Sequence, residues 1–131
     1  MYRGLNKVML IGRLERDPEM RYTPSGSPVT SFSVAVPHVW VSAKGTRHEE
    51  MEWFSVVVWG DLARFCYDQL DKGNLVYVEG RLKTRSWEDS AHKRHFRTEV
   101  VAEKALLLND SPAEDNEVDN SYAVNDDDYN F

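Results

Sequence analysis

Val56-Val57-Val58-Trp59-Gly60-Asp61-Leu62-Ala63-Arg64-Phe65-Cys66-Tyr67-Asp68-Gln69-Leu70 is the stretch on which the fold turns. Its first part is an unbroken aliphatic run, the pattern of a strand buried on both faces. Gly60 ends that strand. The second part places Leu62, Phe65, Cys66 and Leu70 at helical spacing. Asp61 is positioned to accept an orphan backbone N–H as a cap, and Gly73 to stop the helix in a left-handed conformation. Phe65 and Cys66 read as core residues of this helix.

Outward from this junction the chain reads as strands. Leu5 to Leu14 is rich in Val, Met, Ile and Leu, with Gly12 allowing a bend or bulge. Asp17-Pro18 interrupts it, and Met20-Arg21-Tyr22 resumes pairing. Pro24-Ser25-Gly26-Ser27 is a turn. From Val29 to Val36 the residues alternate: Val29, Ser31, Ser33 and Ala35 on one side, Thr30, Phe32, Val34 and Val36 on the other. Pro37 should stop this strand, leaving residues 38–51 as a long charged connection with Lys44-Gly45 near its tip. Glu52 to Trp59 is the third strand. Past the helix, Leu75 to Trp87 and Phe96 to Leu108 are strands, with Gly80 as a bulge and a polar hairpin around Ser90-Ala91-His92. Three strands, one helix and two strands describe an all-β chain with one short helix. A five-stranded Greek-key barrel with a helix between its third and fourth strands is the OB-fold. Another small α+β sheet fits the same order.

The 131 residues suffice for one domain, and their net charge of -6 hides a segregation. Residues 110–131 hold eight acids and no Lys or Arg, which leaves fourteen acids against all sixteen bases in residues 1–109. The body is mildly basic and the tail strongly acidic, the pattern of a binding domain with an interaction tail. Residues 109–125 are too polar to fold and are expected to be a disordered linker. A single cysteine excludes an intramolecular disulfide and suits a reducing compartment. No apolar run approaches membrane-spanning length, and the N-terminus lacks a signal-peptide core. The expected location is bacterial cytoplasm, with or without a phage.

Trp40, Trp53, Trp59 and Trp87 fall at strand ends and loop edges, near Lys44, Arg47, Lys83 and Arg85. Flat rings beside cations suit stacking on unpaired bases and pairing with phosphates. A buried or rim position is the usual fate of a tryptophan, but four of them beside cations favour the stacking role. His38, His48, His92 and His95 lack ligand-like spacing with Cys66 and read as surface residues, so no metal or cofactor is expected.

The run Arg3 to Leu14, Asp17-Pro18-Glu19 and Arg21 to Gly26 resembles the opening of the bacterial single-stranded DNA-binding protein family. Glu52-Trp53 with Val56 to Gly60 is similar to its third strand. Lys72-Gly73, Val76 to Gly80 and Leu82 to Trp87 are similar to its fourth. The likeness covers residues 1–108 and resumes at 126–131. It implies an OB-fold, a homotetramer, binding of single-stranded DNA with little sequence preference, and no catalysis. It also implies protection of that DNA in replication, recombination and repair, in association with the nucleoid. Carried over by position, Trp40, Trp53, Trp59 and Trp87 stack on bases, and Arg3, Lys7, Arg21, Lys72, Lys83 and Arg85 meet phosphates. Arg94 and Arg97 are secondary candidates. Trp59 stands where Phe is common. Ser55, Asp61 and Ser86 stand where relatives often carry a cation, which should weaken phosphate contact. Phe54 replaces a polar ring.

The tip Asp126, Asp127, Asp128, Tyr129, Asn130 and Phe131 resembles the family's partner-binding tail. There an aromatic end fills an apolar pocket on replication and repair proteins and acids steer toward a basic rim. Asn130 takes the place of the usual Pro, and Tyr129 that of Ile or Leu. Two rivals fit less well. An adaptor that only contacts proteins does not need four stacking rings. A carboxylate-dependent nuclease needs acids on a rigid scaffold, and the densest cluster here is in the tail. An RNA-binding OB protein shares the stacking logic.

Overall fold

The computed structural model describes residues 1–109. The expected linker over 109–125 and the tail tip at 126–131 therefore lie outside the described residues, apart from the backbone of Asn109. The elements are β1 (Val8–Leu14), β2 (Glu19–Tyr22), β3 (Pro28–Val41), β4 (Arg47–Trp59), α1 (Asp61–Gln69), β5 (Leu75–Glu88) and β6 (Arg94–Asn109). The strands pair in the order β1-β5-β6-β4-β3-β2, and β1 also pairs with β3. That last pairing closes five strands into a barrel, with β2 extending it along β3. All ladders are antiparallel except β4 with β6.

Two glycines make the closure possible. A Cβ on Gly12 would collide with the carbonyl oxygen of Ala35, where β1 turns from β5 to β3. A Cβ on Gly80 would collide with the carbonyl oxygen of Val101. At that point the register slips, since Glu79 faces Lys104 while Gly80 faces Ala102 and Glu103 is left over. This is the bulge expected at Gly80, and it bends β5 and β6.

The interior is aliphatic. Leu14, Phe32, Val34, Val56, Val58, Val76, Val78, Val100, Ala102 and Ala105 fill the barrel, and Ala63 and Cys66 of α1, with Leu70 just past it, pack against them. The alternation read over 29–36 holds, with Thr30, Phe32 and Val34 buried. Thr30 donates to the backbone oxygen of Ala63 at 2.7 Å, which locks the helix onto β3. Among the described residues, no buried side-chain polar atom lacks a partner. Burial pushes the Cys66 thiol up to about 12, so this sulfur packs as a small apolar group.

Several expectations are corrected. Pro37 does not end its strand: β3 continues to Val41 and pairs with β4 as far as Val41 opposite Arg47. The charged connection over 38–51 is mostly a two-stranded arm, turned by Ser42 to Thr46. Past Ala35, β3 has lost its β1 neighbour and become an edge, and an edge tolerates a residue with no N–H to donate. Val57 is half-buried on the outer face, because only Val56 and Val58 point inward. Gly60, at φ 71°, takes the N-cap position, so Asp61 is the first helical residue and makes no side-chain cap. Its carboxylate still lies in the first turn, where the helix dipole favours it. The helix ends at an extended Leu70. Gly73 is not its cap, and instead donates to the Leu14 carbonyl at 2.9 Å. Phe65 is exposed, because at 100° per residue it lies round the helix from Ala63, Cys66 and Leu70.

Candidate nucleic-acid interface

Directly paired residues share a sheet face, and alternate residues along a strand share it too. The outward face of β3 carries Val29, Ser31, Ser33 and Ala35, opposite Trp59, Val57, Ser55 and Trp53 of β4. On β5 the same side carries Arg81, Lys83, Arg85 and Trp87, opposite Val101, Glu99, Arg97 and His95 of β6. Val57 aligns with Val101 across the parallel pair, so these four strands present one continuous surface. Over it runs an open groove of about 860 Å³, walled further by Arg16, Arg21 and Tyr22.

Three expected aromatics lie on this outward side. Trp53 is 58% exposed, Trp59 51% and Trp87 39%. Exposure of this size on indoles leaves ring area for another flat molecule. The Arg85 guanidinium lies 4.8 Å from the Trp87 ring centroid, and His95 stacks on the same indole at 5.5 Å. His95 is in turn tied to Asp89 at 2.7 Å. That hydrogen bond, followed by backbone N–H groups of Lys93 and Ala91, holds the Asp89 carboxyl below its usual range. Trp87 is therefore held between side chains that are themselves fixed.

Trp40 lies elsewhere. It continues the inward side of β3, with His38 before it and His48 opposite it, so it occupies the other face of the β3–β4 arm from Trp53. It stacks on His38 at 5.0 Å and on His48 at 5.2 Å.

The cations divide in the same manner. Lys83, Arg85 and Arg21 line the groove. Lys72 is exposed in the turn after α1, where its N–H binds the Asp17 carboxylate at 2.8 Å beside Arg16. Arg3 is exposed before β1, in a segment that Asn6 ties to β5 through a reciprocal pair with the Leu82 backbone at 2.8 and 2.9 Å. Lys7 faces away from the groove, paired with Glu79 at 2.9 Å. Sequence reasoning missed Arg16 and Arg81, and ranked Arg97 low. The usable signal was parity: Arg81 shares the phase of Lys83 and Arg85 on one strand.

Glu99, with 13% of its side chain exposed, lies 3.3 Å from Arg85 and 3.9 Å from Arg97. It orients both guanidiniums while cancelling only part of their charge. Arg97 also donates to the Ser55 hydroxyl, and Arg94 to that of Ser86 at 3.1 Å. Each of these serines thus has a guanidinium from the adjacent strand beside it, Ser55 on the groove side and Ser86 on the opposite side of the β5–β6 pair.

A second outward surface lies on β1, β5 and the end of β6. Met9, Ile11 and Leu106 are exposed there, with Tyr77 between Ile11 and Leu106 in register. Tyr77 donates to Glu79 at 2.6 Å. That bond, followed by the one from Lys7, holds the Glu79 carboxyl low, and the same bond to Glu79 pushes the Tyr77 phenol up. Among the described residues, no group of three or more His, Cys, Asp and Glu is placed to hold a metal ion, and no helix is long and apolar enough to cross a membrane.

The chain is similar to known proteins. The model of the Single-strand binding protein family matches residues 5–108. Single-stranded DNA-binding protein 1 of Chlorobaculum tepidum is 43% identical over 126 residues, covering 95% of this chain and 78% of its own length. The single-stranded DNA-binding protein of Caldanaerobacter subterraneus subsp. tengcongensis is also 43% identical over 126 residues, covering 90% of this chain and 83% of its own. Among solved structures, the Plasmodium falciparum SSB complex with ssDNA superposes with a TM-score of 0.78 at 28% identity, over 83% of this chain and 99% of that one. A deletion mutant of the Thermus aquaticus single-stranded DNA binding protein gives 0.74 at 38% identity, with 83% of this chain matching 53% of that one.

Proposed function

The chain belongs to the single-strand binding protein family, and on that premise we propose that it coats single-stranded DNA with little sequence preference. Like its family it is a binding protein and not an enzyme. The observation that carries the reading is the outward surface of β3, β4, β6 and β5, where three exposed indoles share one side with Arg81, Lys83, Arg85 and Arg97. Bases stack on the indoles, each contact contributing roughly 1–3 kcal/mol. Every base has a π face, so this affinity carries little sequence information. Phosphates exchange with counterions at the guanidinium and ammonium groups, each neutralised phosphate steepening the log–log salt dependence by about 0.7. Arg21, Lys83 and Arg85 of the groove carry most of this, with Arg3 and Lys72 at its margins. Duplex DNA buries its bases and offers nothing to the indoles.

Coating protects the strand during replication, recombination and repair in bacterial cytoplasm. Asp126 to Phe131 recruits replication and repair proteins. The β1–β5–β6 surface supports a homotetramer, because exposed Met9, Ile11 and Leu106 surround a polar set that is already internally paired. Lys7 then serves subunit packing more than DNA. A monomer by light scattering at micromolar concentration would remove the tetramer.

Tryptophan fluorescence during titration with oligo-dT, and with duplex of equal length, tests the binding. Strong quenching by the single strand alone, persisting at high salt, is expected. Equal response to duplex, or none to either, overturns the reading.

A further inference from the structure

A carboxylate stands among the cations of the groove. Glu99 lines it together with Lys83, Arg85 and Arg97, and Lys83 is its direct partner across the β5–β6 ladder. A negative group in this place opposes a polyanion, so by charge alone its removal should tighten DNA binding. The geometry argues the reverse. The Glu99 side chain is 13% exposed, whereas those of Arg85 and Arg97 are 53% and 51% exposed. The acid is the member seated in the sheet surface, and the two long cations reach out from it into solvent.

Each carboxylate oxygen takes one arginine, and takes it by the inner nitrogen. Arg85 Nε donates to Glu99 Oε1 at 3.3 Å, and Arg97 Nε lies 3.9 Å from Oε2. A guanidinium carries its remaining N–H donors on the outer Nη pair. That outer pair is the part of the fork that can receive a phosphate in two parallel bonds. Glu99 thus holds both side chains without occupying it. Arg97 gives its Nη2 to the Ser55 hydroxyl. Among the described residues, the Nη pair of Arg85 makes no protein hydrogen bond.

Each held guanidinium fixes something further. Arg85 lies 4.8 Å from the Trp87 ring centroid, a cation packed on the indole. Arg97 reaches across to β4, at a serine two residues past Trp53 on the same face. β4 and β6 pair through Val56 with Val100 and Val57 with Val101 and no further. Beyond those pairs the two hairpins leave the shared ladder, and the Arg97–Ser55 bond spans the gap between them. We infer that Glu99 is a positioning residue for single-stranded DNA. It sets Arg85 against Trp87 and Arg97 against the strand of Trp53, so that an acid strengthens the binding of a polyanion. The inference rests on single-stranded DNA being the ligand, as proposed above, and names a residue that acts on that site through others.

The test measures oligo-dT affinity for the full chain and its variants. Glu99→Gln removes the charge and keeps the length. Glu99→Asp keeps the charge and draws it back by one methylene. Both should weaken binding by about threefold to tenfold, because one or two long side chains must then be ordered by the DNA itself. A second background carries Arg85→Lys and Arg97→Lys, which keep the charge but have no Nε–H for the carboxylate to hold. There Glu99→Gln should tighten binding, because only its charge is left to act. A general loss of fold would not reverse sign with background. Tighter binding by Glu99→Gln in the parent chain overturns the inference, and so does an equal weakening in both backgrounds. Failure of the parent chain to bind oligo-dT is a different result: it overturns the proposed function, and the role of Glu99 falls with it.

Discussion

On β5 and β6 the outward side changes character at Gly80. Before the bulge it shows Tyr77 and Glu79 beside Lys104 and Leu106; after it, Arg81, Lys83, Arg85 and Trp87 beside Val101, Glu99, Arg97 and His95. Both halves contain charges. In the first, Lys7, Glu79 and Tyr77 satisfy one another, and what remains for a partner is apolar area. In the second, one carboxylate serves two guanidiniums and a positive excess remains. Locally cancelled charge leaves a surface suited to another protein; uncancelled charge leaves one suited to a polyanion.

Removing the hinge between the halves should have the largest effect. Gly80→Val puts atoms against the Val101 carbonyl, and stability measured by urea unfolding should fall by about 3 kcal/mol. Trp53→Ala acts on the DNA side alone: single-strand affinity should drop by about 2 kcal/mol with the melting temperature nearly unchanged. A smaller contrast comes from salt. Lys83→Ala with Arg85→Ala should flatten the log–log salt slope by about 1.4, whereas Lys7→Ala should leave it alone. Equal slopes for the two would erase the distinction between the surfaces. The smallest effect is a pH dependence. The folded Glu79 carboxyl titrates below its unfolded value, so its stabilisation is complete above the ordinary carboxylate range and is lost as pH falls through the depressed value. Urea midpoints recorded below about pH 5 should therefore decline less steeply for Glu79→Gln than for the parent chain.

The barrel was legible because its signals are local. Alternation over 29–36, the helical spacing around Cys66 and the bulge glycine at 80 each report on a few neighbouring residues. What misled depended on partners distant in the chain. Pro37 reads as a stop until β1 is seen to leave the edge free. Val57 reads as core until its outward phase is fixed by Val101 across a parallel ladder. Gly73 reads as a helix cap until the Leu14 carbonyl claims its N–H. In the site, Trp53, Trp59 and Trp87 fall on one side through pairings that no spacing reveals, and Trp40 is turned away by parity along β3.

The arginine beside Ser55 carries a consequence for how such a surface can vary. A flexible polyanion responds to the summed potential in a cleft, not to the position in the chain that supplies each charge. Arg97 reaching Ser55 sets a guanidinium in the groove one strand spacing from the position where relatives often carry a cation. Positions in such a groove are interchangeable across a ladder, much as two tenants can swap rooms without changing the occupancy of the floor. Exchanging the partners, Ser55→Arg with Arg97→Ser, keeps the net charge and should keep the salt slope.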